Sequence, residues 1–167
     1  MIHNKISFLI ILLVFSNLSF AHPKDREQPL KITADSSIFN YKTGVDIYKG
    51  NVKVNQGTTN VSADKIITKK DSTHKLTSII AYGYNDLANF STIPGDNKEL
   101  LNAKSKIIKF YPKESKIVLE KQVTVSQDGN SITGTHIIYN IEQQIVTAPY
   151  TKNNRATIII DPKAKKS

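Results

Sequence analysis

Tyr48-Lys49-Gly50-Asn51-Val52-Lys53-Val54-Asn55-Gln56-Gly57 decides the fold. Val52 and Val54 alternate with Asn51, Lys53 and Asn55. In an extended chain successive side chains point to opposite sides, so the two valines share one face of a strand. Gln56-Gly57 then supplies a turn. The stretch recurs: Lys121-Gln122-Val123-Thr124-Val125-Ser126-Gln127-Asp128 lines up with residues 50–57 at an offset of 71. The same offset pairs Val61 with Ile132, Ala63 with Gly134, Ile66 with Ile137 and Ile67 with Ile138. Self-similarity at a fixed period predicts two halves built from one strand-turn-strand unit.

Outward from this stretch the period of two continues. Leu30, Ile32 and Ala34 alternate with Lys31, Thr33 and Asp35, and Val123 and Val125 alternate with Thr124 and Ser126. Turn signals stand at Lys42-Thr43-Gly44, Lys70-Asp71-Ser72, Pro94-Gly95-Asp96-Asn97, Pro112-Lys113-Glu114 and Gln127-Asp128-Gly129-Asn130. Short strands punctuated in this way build all-β sandwiches and barrels. The Thr, Val, Ile and Tyr residues between the turns suit a pleated surface. No segment reads as an amphipathic helix, and Asn97 to Ser105 reads as a loop leading into a strand. The last strand is expected over Ala156 to Asp161, stopped by Pro162.

The ends of the chain differ from its middle. Lys5 precedes the apolar run Ile6 to Phe15, and Ser19-Phe20-Ala21 places small residues where a signal peptidase cuts. Residues 1–21 therefore read as a secretory signal cleaved after Ala21, residues 22–29 as a flexible mature N-terminus, 30–162 as the β domain and 163–167 as a basic tail. The signal carries one basic residue and no acid, so the exported part keeps +8 of the formal +9 charge. That balance suits either acidic partners or merely solvated lysine-rich faces; among acidic partners, export argues against nucleic acid and leaves anionic lipid. With no cysteine, the domain has neither disulfides nor thiol chemistry, and burial and backbone pairing must hold it.

Catalytic chemistry is not legible. His3, His22, His74 and His136 show no metal-binding spacing, and no nucleophile elbow or phosphate-cradling glycine loop occurs. Neither metal nor cofactor is expected, and the chain reads as a non-enzyme. Asp35 and Asp64 each follow an alanine at an expected strand end, where an aspartate bonds nearby backbone. The alternating apolar positions (Leu30, Ile32, Tyr48, Val52, Val54, Val61, Phe90, Ile107, Ile117, Leu119, Val123, Val125 and Ile132) read by themselves as a dry core, as most alternating strands do, and nothing in their periodicity points to a groove between splayed sheets.

Several segments, in order, resemble the LptA/OstA-like family of periplasmic lipopolysaccharide-transport proteins. They are Gln28-Pro29-Leu30-Lys31-Ile32-Thr33-Ala34-Asp35, the Tyr48 to Gly57 stretch, Val61-Ser62-Ala63-Asp64-Lys65, Tyr82-Gly83 with Ala88-Asn89-Phe90, and Ile132-Thr133-Gly134 with Ile137-Ile138-Tyr139. The loop from Asn85 to Leu101 does not align, and Gly134-Thr135-His136 stands where the family carries Gly-Asp-Lys. The resemblance implies an open, jelly-roll-like fold (a β-taco) of two facing antiparallel sheets. It implies lipopolysaccharide acyl chains held in a groove by Leu30, Ile32, Tyr48, Val52, Val54, Val61, Phe90, Ile107, Leu119 and Val123, with Lys70 meeting a phosphate. It also implies head-to-tail self-association into a periplasmic bridge between LptC at the inner membrane and LptD at the outer membrane. An LptC-like membrane-anchored partner is the alternative within the family, and a structural periplasmic β-protein with a dry core the alternative outside it.

Overall fold

The structure is a computed structural model that describes residues 25, 27–95, 99–150 and 155–162. The expected signal peptide, residues 22–24 and the basic tail lie outside them. Twelve strands follow in order: β1 (Lys31–Thr33), β2 (Ser36–Asn40), β3 (Val45–Gln56), β4 (Thr59–Lys70), β5 (Leu76–Tyr82), β6 (Ala88–Thr92), β7 (Leu101–Ser105), β8 (Ile107–Tyr111), β9 (Lys116–Gln127), β10 (Asn130–Asn140), β11 (Ile145–Thr147) and β12 (Thr157–Ile159). All pairings are antiparallel.

The long strands β3, β4, β9 and β10 run through two leaves. Leaf one is ordered β1, β3, β4, β6, β7, β9, β10, β12, using residues 51–56, 59–63, 123–127 and 130–134 of the long strands. Leaf two is ordered β2, β3, β4, β5, β8, β9, β10, β11, using residues 45–49, 65–70, 116–120 and 136–140. The bends fall where the registers slip, between Lys49 and Val52 and between Gly134 and His136. At the corners Gly50 and Asn51 have φ of 76° and 46°, and Lys121 and Gln122 have 64° and 54°. Two consecutive left-handed residues turn the strand, and the extra residue leaves the ladder as a bulge. Asp35 N–H donates to Gly50 C=O and Lys106 N–H to Lys121 C=O, each at the same corner of its half.

The repeat read from the sequence is structural. Adding 71 to β1, β2, β3 and β4 gives β7, β8, β9 and β10 within a residue or so at each end. Registers follow too: Lys31 faces Asn55 as Asn102 faces Ser126, and Ser36 faces Lys49 as Ile107 faces Glu120. In the middle of the molecule the two halves join through β6 with β7 and β5 with β8. At the ends, among the described residues, β1 and β2 pair only with β3, and β11 and β12 only with β10.

The core lies between the leaves. On leaf one a single inner row, Ile32-Val54-Val61-Phe90-Ala103-Val125-Ile132-Ile158, crosses all eight strands. On leaf two the row Tyr48-Ile66-Ala81-Ile108-Leu119-Ile137 is buried throughout.

Two expectations change. Ile107 does not face the interior: it pairs with Tyr82 and Glu120 on the outer face of leaf two, while Ile108 is buried. Adjacent isoleucines cannot both point inward in a pleated strand. Asp64 sits within β4 at the fold line, not at a strand end, and accepts hydrogen bonds from Tyr84 N–H and Asn85 N–H.

Candidate functional site

At the edge away from the corners the leaves form two lips. Leaf one contributes the β3–β4 hairpin and the loop after β6; leaf two contributes the hairpins at 41–44, 71–75 and 141–144 and the turn Pro112–Glu114. Between the lips lies an apolar cavity of about 120 Å³. Leu30, Val54, Val61, Phe90, Ile93 and Pro94 line it from the leaf-one side, with Ile79, Ala81, Ile108, Phe110 and Ile141 opposite. Asp25, Gln56, Thr59 and Thr92 are its polar rim.

Four of the sequence-predicted groove residues, Leu30, Val54, Val61 and Phe90, meet at this cavity. Ile32 packs beside the core, and Tyr48, Val52, Leu119 and Val123 belong to the buried core behind it. Ile79, Ala81, Ile93, Pro94, Ile108, Phe110 and Ile141 are not among the groove residues expected from the sequence. Alternation from Ile79 through Ala81 was the available signal for β5; for the loop residues Ile93 and Pro94 there was none.

The N-terminal segment is tied to the leaf-one lip. The Asp25 carboxylate accepts from Thr58 N–H at 3.0 Å and from the Thr58 hydroxyl. Gln56 donates to Gln28 C=O at 3.1 Å. Across the mouth, the Gln144 side-chain amide donates to Pro94 C=O at 3.0 Å and joins leaf two to leaf one.

Lys70 lies on the leaf-two lip, with its ammonium 2.6 Å from Asp46 and 37% of its side chain exposed. Asp46 is buried, its side chain only 5% exposed, with the Thr68 hydroxyl at 3.4 Å. The hydrogen bond to Asp46 raises the Lys70 pKa above the ordinary 10.5, against a smaller opposing effect of burial. Burial also raises the pKa of Tyr48, aided by the Asp46 charge. The second half carries Ile117, Tyr139 and Ile141 where the first has Asp46, Thr68 and Lys70. The Tyr139 hydroxyl is buried with no partner among the described residues, and desolvation lifts its pKa to about 12.

Residues 31–145 match the family described as LptA/(LptD N-terminal domain) LPS transport protein. The chain belongs to this family. The LptA/LptD N-terminal family match covers both corners, the whole joint between the halves and most of the cavity wall. The lipopolysaccharide export system protein LptH of Pseudomonas aeruginosa is 31% identical over 157 residues, 90% of this chain and 89% of that protein. The lipopolysaccharide export system protein LptA of Escherichia coli K12 is 28% identical over 163 residues, 95% of this chain and 87% of that one. The Haemophilus influenzae LptA is 23% identical over 164 residues, covering 97% and 94%. The crystal structure of P. aeruginosa LptH, described as the periplasmic component of the conserved lipopolysaccharide transport device, superposes with a TM-score of 0.76 at 30% identity. It covers 84% of this chain and 100% of that chain.

Proposed function

We propose that the chain is a periplasmic carrier of lipopolysaccharide that holds acyl chains between its leaves and stacks end to end into a bridge between the membranes. The observation that carries this reading is the inner row of leaf one, apolar without interruption from Ile32 at one free edge to Ile158 at the other. A dry core has no need of an apolar row that reaches both edges left unpaired among the described residues; a path for alkyl chains through successive copies does. Each buried methylene is worth about 0.8 kcal/mol, so a lipid with several chains crosses water only under such cover. A cavity of about 120 Å³ is smaller than the ~150 Å³ that accommodates one benzene, so cargo must part the lips. Lys70 is the proposed phosphate contact, and a phosphate there shares or competes for the ammonium that Asp46 holds.

The joint inside the molecule supplies a template for the joint between copies. Phe90 faces Ala103 and Ile80 faces Lys109 where the halves meet. By the repeat, Ile158 and Thr147 stand where Phe90 and Ile80 stand, and Ile32 and Ile38 where Ala103 and Lys109 stand. The proposed register therefore sets Ile158 of one copy opposite Ile32 of the next, and Thr147 opposite Ile38. Such a contact is heterologous and open, and gives chains whose length grows with concentration. The end partners are LptC and LptD, export follows cleavage after Ala21, and the chain acts without catalysis. An LptC-like anchored protein remains the second reading, distinguished by the N-terminus of the exported protein.

Photo-crosslinking side chains at Ile32 and Phe90 test the groove: both capture lipopolysaccharide, and Lys31 and Ile107, on outer faces, do not. Equal capture at Ile107 and Phe90 refutes binding between the leaves. The chain has no cysteine, so Ile32→Cys with Ile158→Cys tests the register by oxidation to a covalent ladder, with Lys31→Cys and Ile158→Cys as the out-of-register control.

A further inference from the structure

The two leaves expose opposite kinds of outer face. On leaf one the outward rows are Lys31-Asn55-Asn60-Ser91-Asn102-Ser126-Ser131-Ile159 and Thr33-Lys53-Ser62-Asn89-Lys104-Thr124-Thr133-Thr157, polar in every strand except the edge strand β12, which adds Ile159. On leaf two the central outward row is Ile38-Ile47-Ile67-Ile80-Lys109-Val118-Ile138. Ile38 is 57% exposed, and Ile47, Ile67 and Ile80 are half-buried. On the corner side this row is flanked by Lys49, Lys65, Tyr82 and Ile107, and on the lip side by Val45 and Lys69. Lys49, Lys65 and Lys69 have no carboxylate partner among the described residues, whereas Lys109 is paired with Glu120. Lys65 lies over the Tyr82 ring, which stacks on Tyr84.

We propose that the outer face of leaf two is a docking surface for the anionic headgroup layer of a phospholipid bilayer. An aliphatic centre edged by unpaired lysines and by tyrosines matches an interface that is apolar inside and anionic outside. A second copy fits less well, because a two-fold contact through this face would set the unpaired lysines of one molecule against those of the other. The polar face of leaf one has lysines too, but no apolar row for the headgroup layer to receive. The surface lies outside the space between the leaves, so it is separate from the cargo groove and does not depend on cargo.

Co-sedimentation of the mature protein with vesicles of phosphatidylglycerol and phosphatidylethanolamine, free of lipopolysaccharide, tests this. Binding is expected to anionic vesicles and not to phosphatidylcholine ones, and to weaken as salt rises. Lys49→Glu/Lys65→Glu/Lys69→Glu is expected to weaken it by about a hundredfold or more, since each lysine near such a surface contributes about fivefold. Lys31→Glu/Lys53→Glu/Lys104→Glu makes the same change of net charge on leaf one and leaves binding nearly intact. Ile38→Ser, at an exposed position, weakens binding without altering the fold. Equal loss in the two lysine triples overturns the proposal and assigns any attraction to net charge alone. So does failure of the wild type to bind, or a self-association that only the leaf-two triple abolishes.

Discussion

Removing the Lys70 ammonium strands the Asp46 carboxylate. Asp46 is 5% exposed in the wild type, and in Lys70→Ile it keeps, among the described residues, only the Thr68 hydroxyl at the long distance of 3.4 Å. Breaking a buried pair from one side costs about 3–5 kcal/mol. Lys70 is 37% exposed, so water can reach this site, and the expected cost falls to about 2–3 kcal/mol. Asp46→Ile removes the buried charge and leaves a lysine that can swing to solvent, at a cost of about 0–1 kcal/mol. The double variant installs the isoleucines that the second half carries at 117 and 141 and is expected to be neutral or about 1–2 kcal/mol more stable than wild type. Urea unfolding followed by circular dichroism measures all four corners of the cycle, and the coupling should exceed about 2 kcal/mol. Because Asp46 raises the Lys70 pKa, the contribution of the pair is complete below pH 10.5 and is lost as pH rises through the higher folded value. A Lys70→Ile cost under about 1 kcal/mol, or additivity within about 0.5 kcal/mol, refutes the buried-carboxylate argument.

Phe90→Ala, at a buried position on the cavity wall, is expected to cost about 3–5 kcal/mol in the same assay. Gln144→Ala removes the bond across the mouth; amide exchange around Ile93 and Ile141 should quicken, and uptake of a fluorescent lipid should speed up with little change in equilibrium stability. Tyr139→Phe deletes a buried hydroxyl that has no partner and should stabilise the cargo-free protein by about 1 kcal/mol or more, raising its melting temperature. With the Tyr139 pKa at about 12, the phenol is held neutral, so the wild type loses stability as pH climbs from 10 towards 12 while Tyr139→Phe loses less.

The sequence by itself determined the class of fold and its period. Alternation at Leu30 to Ala34 and Val52 to Val54 is a local property of extended chain, because consecutive side chains of a strand must part to opposite faces. Turn residues such as Lys42-Thr43-Gly44 and Gln127-Asp128-Gly129-Asn130 are likewise local. The offset of 71 was legible because two copies of one unit must repeat its apolar and turn positions together. What alternation cannot say is which face of a strand is inside: Ile107 and Ile108 carry the same side chain, and only the partners Tyr82 and Glu120 put the first one out. Tertiary structure alone brought Asp46 to Lys70, 24 residues away, and Pro94 to Gln144, 50 residues away. It also decided that the bends fall at Gly50-Asn51 and Lys121-Gln122, so that each long strand serves two leaves. From that follows the contrast between a polar outer face and an apolar, basic one. A face is a sum over strands distant in sequence, and pairing register, which depends on every turn and bulge between them, is what assembles it.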